Sequence, residues 1–255
     1  MTSKTFVVTE PHSPVGRELI EKLVSAGSVV HAFVRHGEPI ELVSGVRYHS
    51  LVKSRNNEAI RKVFRDSDAA FHPDEVSTLE ETEMFFDAAA NSGVEVILLQ
   101  SFARDMWGSK HTARSLKGAR KAAVSALCEY YAWERGLLHK TLEVDEIFIP
   151  GAGCTKGILE RDNMIAAEPG DKVSLVHVRD VVDTMIQMAT AVGAELDASL
   201  CSPKTWIDIS EYLELAGIEG AEYRPSVADP EDNRGRLVAD SDLDKYVEFR
   251  PRKVG

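Results

Sequence analysis

The sequence predicts an α/β protein built on a doubly wound parallel sheet, with a small C-terminal substrate lobe. Short apolar runs alternate with amphipathic helical patterns over residues 1–150, which is typical of consecutive β-α-β units. The first apolar run, TFVVT, leads through a turn into an amphipathic helix, as a nucleotide-binding turn does. Beyond Pro150 the alternation loosens. We therefore expect residues 151–255 to form a lobe woven onto the sheet and not an independent domain.

The individual elements follow from apolar periodicity and stop signals. Val15, Leu19 and Leu23 recur at helical spacing, and Gly27 is a helix stop. The predicted elements are, in order, strand TFVVT, helix VGRELIEKLVSAG, strands VVHAFVR and VRYHSL, helix NNEAIRKVFRDSD, strand AAFHP, helix TLEETEMFFDAAANSG, strand VEVILLQS, a long helix over residues 115–136 and strand TLEVDEIFI. In the lobe we predict a loop PGAGCTKG, strand KVSLVHV, helix RDVVDTMIQMATAVG, a small helix in TWIDISEYLELAG and a strand in AEYRPSV.

Composition excludes several classes of protein. The chain has 255 residues, of which 44% are hydrophobic and 28% charged, values typical of a globular protein. The net charge of −11 argues against a nucleic-acid or anionic-membrane partner. Its apolar runs are too short for a membrane helix or a signal peptide. Three scattered cysteines fit neither a disulfide framework nor a metal site. We expect a cytoplasmic protein with a small-molecule substrate and no metal.

Seven segments, spread over most of the chain, carry a family resemblance. They are GSVVHAFVR, DSDAAFHP, VEVILLQS, RKAAVSALCEYYAWERGL, IPGAG, VSLVHVRDVVDTM and DLDKYVEFRPR. In this order they resemble segments of the extended short-chain dehydrogenase/reductase family, in its epimerase/dehydratase branch. The resemblance implies a Rossmann-like sheet, a nicotinamide cofactor, catalysis by a Ser, a Tyr and a Lys, and a homodimer formed through the long 115–136 helix and the helix before it.

The first turn departs from the family pattern. Family members carry T-G-x-x-G-x-x-G, whereas residues 9–16 read TEPHSPVG. Glu10 and Ser13 replace two glycines that serve the tight turn and the approach of a pyrophosphate, and only Gly16, which serves helix packing, remains. The Glu10 carboxylate would oppose a pyrophosphate, so we expect no nicotinamide cofactor. The alternative is that NAD or NADP still binds through Gly16 and Ser13, with Arg35 meeting an adenosine 2′-phosphate.

The expected catalytic set is also altered. Ser101 and Lys121 match the serine and lysine of the family, but Lys117 stands where the resemblance implies the tyrosine. Residues four apart share one helix face, so the two lysines would lower each other's pKa and could supply a neutral amine base. The alternative for Lys117 is an ordinary solvated surface charge.

Further candidates are acidic residues and a histidine expected at the carboxyl edge of the sheet, where ligands bind in doubly wound folds. Glu75 follows the strand AAFHP, Glu146 lies in TLEVDEIFI, and His12 lies in the altered turn. Such groups suit proton transfer. The alternative is that they are solvated loop residues of an acidic protein.

Three functions remain open. The first is non-redox acid/base chemistry, such as isomerisation, dehydration or cyclisation, on a small organic metabolite. The second is an NAD(P)-dependent reductase or epimerase with an altered phosphate turn. The third is a non-catalytic metabolite-binding or regulatory protein. Acidic replacements at the ligand edge favour the first.

Overall fold

The computed structural model defines the part of the chain that forms the sheets and their helices. It describes residues 3–35, 41–51, 57–73, 78–101, 116–144, 146–150, 153–154, 164–165, 172–191, 196–199, 206–215 and 222–223.

The main sheet has seven strands, all parallel. Its strands are β1 (Thr5–Val8), β2 (Val29–Arg35), β3 (Val46–Leu51), β4 (Ala69–Pro73), β5 (Glu95–Ser101), β6 (His139–Val144) and β11 (Leu196–Ser199). They lie in the order β11-β6-β5-β4-β1-β2-β3. The order reverses direction between β1 and β4, so the predicted doubly wound fold is confirmed.

Six helices are described: α1 (Pro14–Ser25), α2 (Asn57–Arg65), α3 (Leu79–Ser92), α4 (Leu116–Arg135), α5 (Val178–Thr190) and α6 (Ile209–Leu215). Local sequence sets several of their ends. Ser13 caps α1, whose first position is a proline, a residue suited to a position with no intrahelical N–H partner. Thr78 and Glu81 form a capping box at the start of α3. Gly93, with φ of 67°, ends α3 in the left-handed conformation that glycine adopts at little cost.

Helices cover both faces of the sheet. Along β1, Val8 packs in a core with residues of α1 and α5. The neighbouring residue Val7 packs in a second core with Phe33 and with residues of α2, α3 and α4. This alternation follows from the two-residue period of a strand. Both faces of β1 are therefore buried, as in parallel sheets of α/β proteins.

The second half of the chain contains smaller sheets. A four-stranded sheet has the order β12-β10-β7-β8, and β13 pairs with β9. Their strands are β7 (Glu146–Ile149), β8 (Gly153–Cys154), β9 (Met164–Ile165), β10 (Lys172–His177), β12 (Trp206–Asp208) and β13 (Glu222–Tyr223).

The single strand predicted for TLEVDEIFI is wrong. The segment forms β6 in the main sheet and β7 in the four-stranded sheet, divided at position 145. Apolar residues continue on both sides of that position because each strand is buried in its own sheet, so the pattern alone shows no break. Two smaller departures follow: β8 lies in the segment expected to be a loop, and β12 precedes α6 in the segment expected to be only a helix.

Candidate functional site

The carboxyl ends of β1 and β4 define the place where a ligand would bind. These two strands are neighbours in the sheet, whereas the connection from β1 leads through α1 to β2 on its other side. Ligands of doubly wound sheets bind in the crevice at such a reversal of strand order. The turn between β1 and α1 lies at this point.

Ser13 closes that turn with three hydrogen bonds. Its hydroxyl donates to the Glu10 carbonyl at 3.1 Å and accepts from the Gly16 amide at 2.9 Å. The Ser13 amide also donates to the Glu10 carbonyl, at 3.3 Å. Ser13 is buried. It therefore orders the turn and caps α1, two tasks compatible with its small side chain.

Gly16 keeps the packing role of the third glycine. A Cβ at this position would lie 1.8 Å from the Glu10 carbonyl oxygen, so only glycine lets α1 approach the turn this closely. The Glu10 side chain does not extend into solvent, since the residue is only 6% exposed. The N-terminus of α1 is thus held tightly at the sheet's switch point, the frame that binds a pyrophosphate. The residues present fit a dinucleotide in this respect.

A buried histidine joins the ends of β1 and β4. Nδ1 of His72 lies 2.6 Å from the Thr9 hydroxyl, and its Nε2 lies 3.5 Å from the hydroxyl of Thr82 in α3. His72 is 1% exposed. Burial lowers its pKa from 6.5 to about 4, so the ring is neutral near pH 7. His72 positions the entrance of the turn through Thr9.

Lys121 is the candidate catalytic residue that the structure places most clearly. It is 3% exposed on α4. Gln100, the penultimate residue of β5, donates from Nε2 to the Ser125 hydroxyl at 2.6 Å, and that hydroxyl donates to the Lys121 carbonyl at 3.2 Å. This chain of hydrogen bonds ties the backbone of this turn of α4, at the Lys121 carbonyl, to Gln100 near the carboxyl end of β5. Buried lysines are rare without a structural or chemical role.

Arg35, the last residue of β2, is held by a carboxylate. Its Nε lies 2.9 Å and its Nη2 2.7 Å from oxygens of Glu81 in α3. The guanidinium that would meet a 2′-phosphate in the alternative with a bound dinucleotide therefore lies beside an anion.

The remaining candidates are less closely defined. His12 is exposed in the turn. Ser101 ends β5 opposite Val144, and Glu146 begins β7 opposite Leu175 in another sheet. Lys117 lies in the first turns of α4. The side chains of Ser101, Lys117 and Glu146 lie outside the described residues, as does the whole of Glu75.

Comparison with known proteins gives structural neighbours only. No family model and no curated protein sequence matches the chain. A UDP-N-acetylglucosamine 4-epimerase from Methanobrevibacter ruminantium, in complex with UDP-N-acetylmuramic acid, has a TM-score of 0.69 at 15% identity, covering 99% of this chain and 94% of that one. The Bacillus cereus UDP-N-acetylglucosamine 4-epimerase has a TM-score of 0.63 at 14% identity, covering 98% and 95%. The chain has the fold of these epimerases.

A third neighbour bears on the cofactor. A Bordetella bronchiseptica enzyme in complex with NAD+ has a TM-score of 0.64 at 15% identity, covering 98% of this chain and 94% of that one. The prediction of a protein without a nicotinamide cofactor is wrong in view of this NAD-bound neighbour. The prediction gave too much weight to the lost glycines. The strand order, the start of α1 and the contact at Gly16 are features of the backbone that persist without them.

Sequence reasoning missed the partners that hold the candidates in place. Gln100, Ser125 and Glu81 each make the contacts described above. The Thr-x-x-Glu spacing at 78–81 could have indicated a capping box, but no sequence pattern indicated the pairing of Glu81 with Arg35. His177 caps α5 by accepting from the Arg179 amide at 3.1 Å. Within the described ranges, no helix combines the length and hydropathy needed to cross a membrane.

Proposed function

We propose that the protein is an NAD(P)-dependent enzyme of the epimerase type that acts on a hydroxylated metabolite such as a sugar nucleotide. The observation that carries this proposal is the contact of α1 with the Glu10–Ser13 turn through Gly16, at the switch point of the sheet. The epimerases and the NAD+-bound enzyme found as structural neighbours support it. They favour the redox alternative over cofactor-free isomerisation, dehydration or cyclisation.

The turn and the two strands beside it would hold the dinucleotide. Gly16 sets the position of the α1 N-terminus, which favours an anionic pyrophosphate. Ser13 and the Thr9–His72 pair fix the backbone that leads into the helix. When bound, the nicotinamide would accept hydride from a substrate carbon and return it.

Lys121 is the group we assign to the substrate side. We propose that its Nζ reaches the carboxyl end of β5 as a cation and there stabilises negative charge on a substrate oxygen, because charges interact more strongly in a buried site than in water. The Ser101 hydroxyl would donate to the same oxygen from the end of β5. By the motif resemblance alone, Lys117 stands at the sequence position of the family tyrosine, and we propose its amine as the proton acceptor.

Titration calorimetry with NAD+, NADH, NADP+ and NADPH tests the cofactor directly. We expect at least one of them to bind at micromolar concentration. The full set of UDP-hexoses should then be screened for epimerisation by nuclear magnetic resonance. Lys121→Met should abolish turnover while cofactor binding persists, whereas Glu134→Gln, on the exposed part of the same helix, should not. Failure of all four nucleotides to bind at millimolar concentration to the folded protein would refute the proposal.

A further inference from the structure

The ion pair between Arg35 and Glu81 lies where the two nicotinamide cofactors differ. Arg35 ends β2, about 20 residues after Gly16, which is where dinucleotide-binding folds recognise the adenosine ribose. NADP carries a phosphate on that ribose and NAD a hydroxyl. A charged pair at this position therefore affects whether the protein binds NAD or NADP more tightly.

Glu81 engages Arg35 through two of its nitrogens. Nε donates to both carboxylate oxygens, at 2.9 and 3.1 Å, and Nη2 donates to Oε2 at 2.7 Å. The side chains are 32% and 19% exposed. Charge-assisted pairs of this kind are geometrically specific. The pair joins β2, which lies on one side of β1, to α3. The strand before α3 is β4, which lies on the other side of β1.

Glu81 is fixed independently of Arg35. Its carboxylate accepts from the Thr78 amide at 2.9 Å, and its own amide donates to the Thr78 hydroxyl at 3.2 Å. Hydrogen bonds from Arg35, followed by those from Thr78, lower the pKa of Glu81. The carboxylate therefore stays ionised near pH 7, and the capping box keeps it beside the end of β2.

We propose that Glu81 makes this protein select NAD(H) over NADP(H). This inference rests on the proposed dinucleotide function. A 2′-phosphate that approaches Arg35 would meet the Glu81 carboxylate, which carries the same sign of charge and already accepts hydrogen bonds from Nε and Nη2 of the guanidinium. A 2′-hydroxyl meets no such repulsion and can itself donate to the carboxylate. Arg35 without Glu81 would favour the opposite cofactor.

Glu81→Gln tests this inference with little structural change. Glutamine retains an acceptor for the Thr78 amide, so the capping box remains, while the negative charge is removed. We expect the wild-type protein to bind NADH about tenfold or more tightly than NADPH, because a like-charge contact of about 1.4 kcal/mol corresponds to that ratio. In Glu81→Gln, NADPH binding should strengthen by about tenfold and NADH binding should change little or weaken.

Asp87→Asn is the matched control. Asp87 is another carboxylate of α3 paired with arginines, at 2.7 Å from Nη2 of Arg61 and 3.3 Å from Nη2 of Arg135. It lies further along the helix and pairs with other arginines, so its loss should leave the ratio of the two dissociation constants unchanged. Thermal unfolding of both variants measures any general loosening of α3.

The outcomes separate the inference from the function on which it rests. If neither NADH nor NADPH binds the wild-type protein, the proposed function fails. If both cofactors bind and Glu81→Gln leaves their ratio unchanged, or the wild-type protein prefers NADPH, the role of Glu81 is refuted while the function stands. If Asp87→Asn shifts the ratio as much as Glu81→Gln, the effect belongs to α3 in general and the inference is also refuted.

Discussion

The hydroxyl of Thr9 lies 2.6 Å from Nδ1 of His72, and this contact joins the residue that follows β1 to the end of β4. Thr9 precedes the residue that replaces the first glycine of the phosphate turn. The imidazole is fully enclosed, so the contact is formed by a neutral ring near pH 7. We therefore expect protonation of His72 to disturb the turn through Thr9.

His72 should make stability depend on pH. Its folded-state pKa of about 4 is below the ordinary 6.5, so the unfolded chain binds the proton more readily. The contribution of the neutral ring to the free energy of unfolding is complete above pH 6.5. It is lost as pH falls toward 4, and the total loss is about 3 kcal/mol. We expect the free energy of urea unfolding to decrease less between pH 7 and pH 4.5 in His72→Asn than in the wild-type protein. Equal decreases would contradict this role.

His31 and His49 supply a control for that comparison. Their ring nitrogens lie 2.7 Å apart, and burial is the main cause that lowers the pKa of each. Their protonation at acid pH destabilises the folded protein, as protonation of His72 does. Because this pair is present in both the wild-type protein and His72→Asn, the difference between the two proteins isolates His72.

Gly16→Ala should be among the most damaging small substitutions in the chain. Alanine normally favours a helix over glycine by about 1 kcal/mol, but here its Cβ would lie 1.8 Å from a backbone oxygen that cannot rotate away. We expect Gly16→Ala to lower the free energy of chemical unfolding by more than about 3 kcal/mol. We also expect it to abolish dinucleotide binding.

Gly93→Ala is the control for Gly16→Ala. It introduces the same methyl group at a position with φ of 67° and no atom within 4 Å, and we expect it to cost about 1 kcal/mol. If the two substitutions have equal effects, the close packing of α1 on the turn is not what makes glycine necessary at position 16.

Lys140 should stabilise the fold without any part in chemistry. It is 2% exposed, and its Nζ donates to Glu95 at 2.9 Å and to the carbonyls of Met188 and Ala191 at 2.8 and 3.0 Å. Lys140→Met leaves the Glu95 carboxylate and the carbonyls at the end of α5 without this donor. We expect the free energy of unfolding to fall by about 3 kcal/mol. Glu95→Gln retains the carbonyl contacts and should cost clearly less. Thermal and urea unfolding measure the stability of both variants. If Lys140→Met is as stable as the wild-type protein, the stabilising role of Lys140 is wrong.

The outer face of α4 is the proposed dimer surface. Trp133 and Tyr130 are 87% and 55% exposed there, whereas Tyr131 is buried against Phe86. We expect the wild-type protein to sediment as a dimer and Trp133→Glu to shift it toward the monomer. Leu138→Glu alters a side chain that is 56% exposed beyond the end of α4 and should leave the dimer intact. A wild-type monomer at high micromolar concentration would exclude the proposed dimer.

The regular half of the fold could be predicted from sequence because its signals are local. The helix that ends near Gly27 and the strand VVHAFVR have clear periodicity and stop residues, and both are confirmed. The division of TLEVDEIFI between two sheets depends on which strands lie beside each half, and apolar pattern carries no information about that pairing. For the same reason β11 was not predicted, because its place beside β6 is set by tertiary contacts.

Sequence could indicate the elements that carry the candidate site but not the side-chain pairings between those elements. Gly16, Ser13 and Lys121 were identified by the match of single elements to family motifs, and their roles in binding and catalysis stay predictions. The ion pair of Arg35 with Glu81 joins residues 46 positions apart, so its effect on an apparently free arginine could not be read from the chain. Burial of Glu10 likewise depends on the packed turn.

The position of β11 also has a consequence for synthesis on the ribosome. Residues 196–199 pair with β6, so the strand that covers this edge is translated about 50 residues after β6 itself. At about 5–20 residues per second, β11 is synthesised several seconds after β6 in each new chain, and until then this edge lacks the β11 strand. Folding of the first half therefore ends in an open sheet that can pair with another nascent chain, and translation speed between β6 and β11 sets how long that hazard lasts.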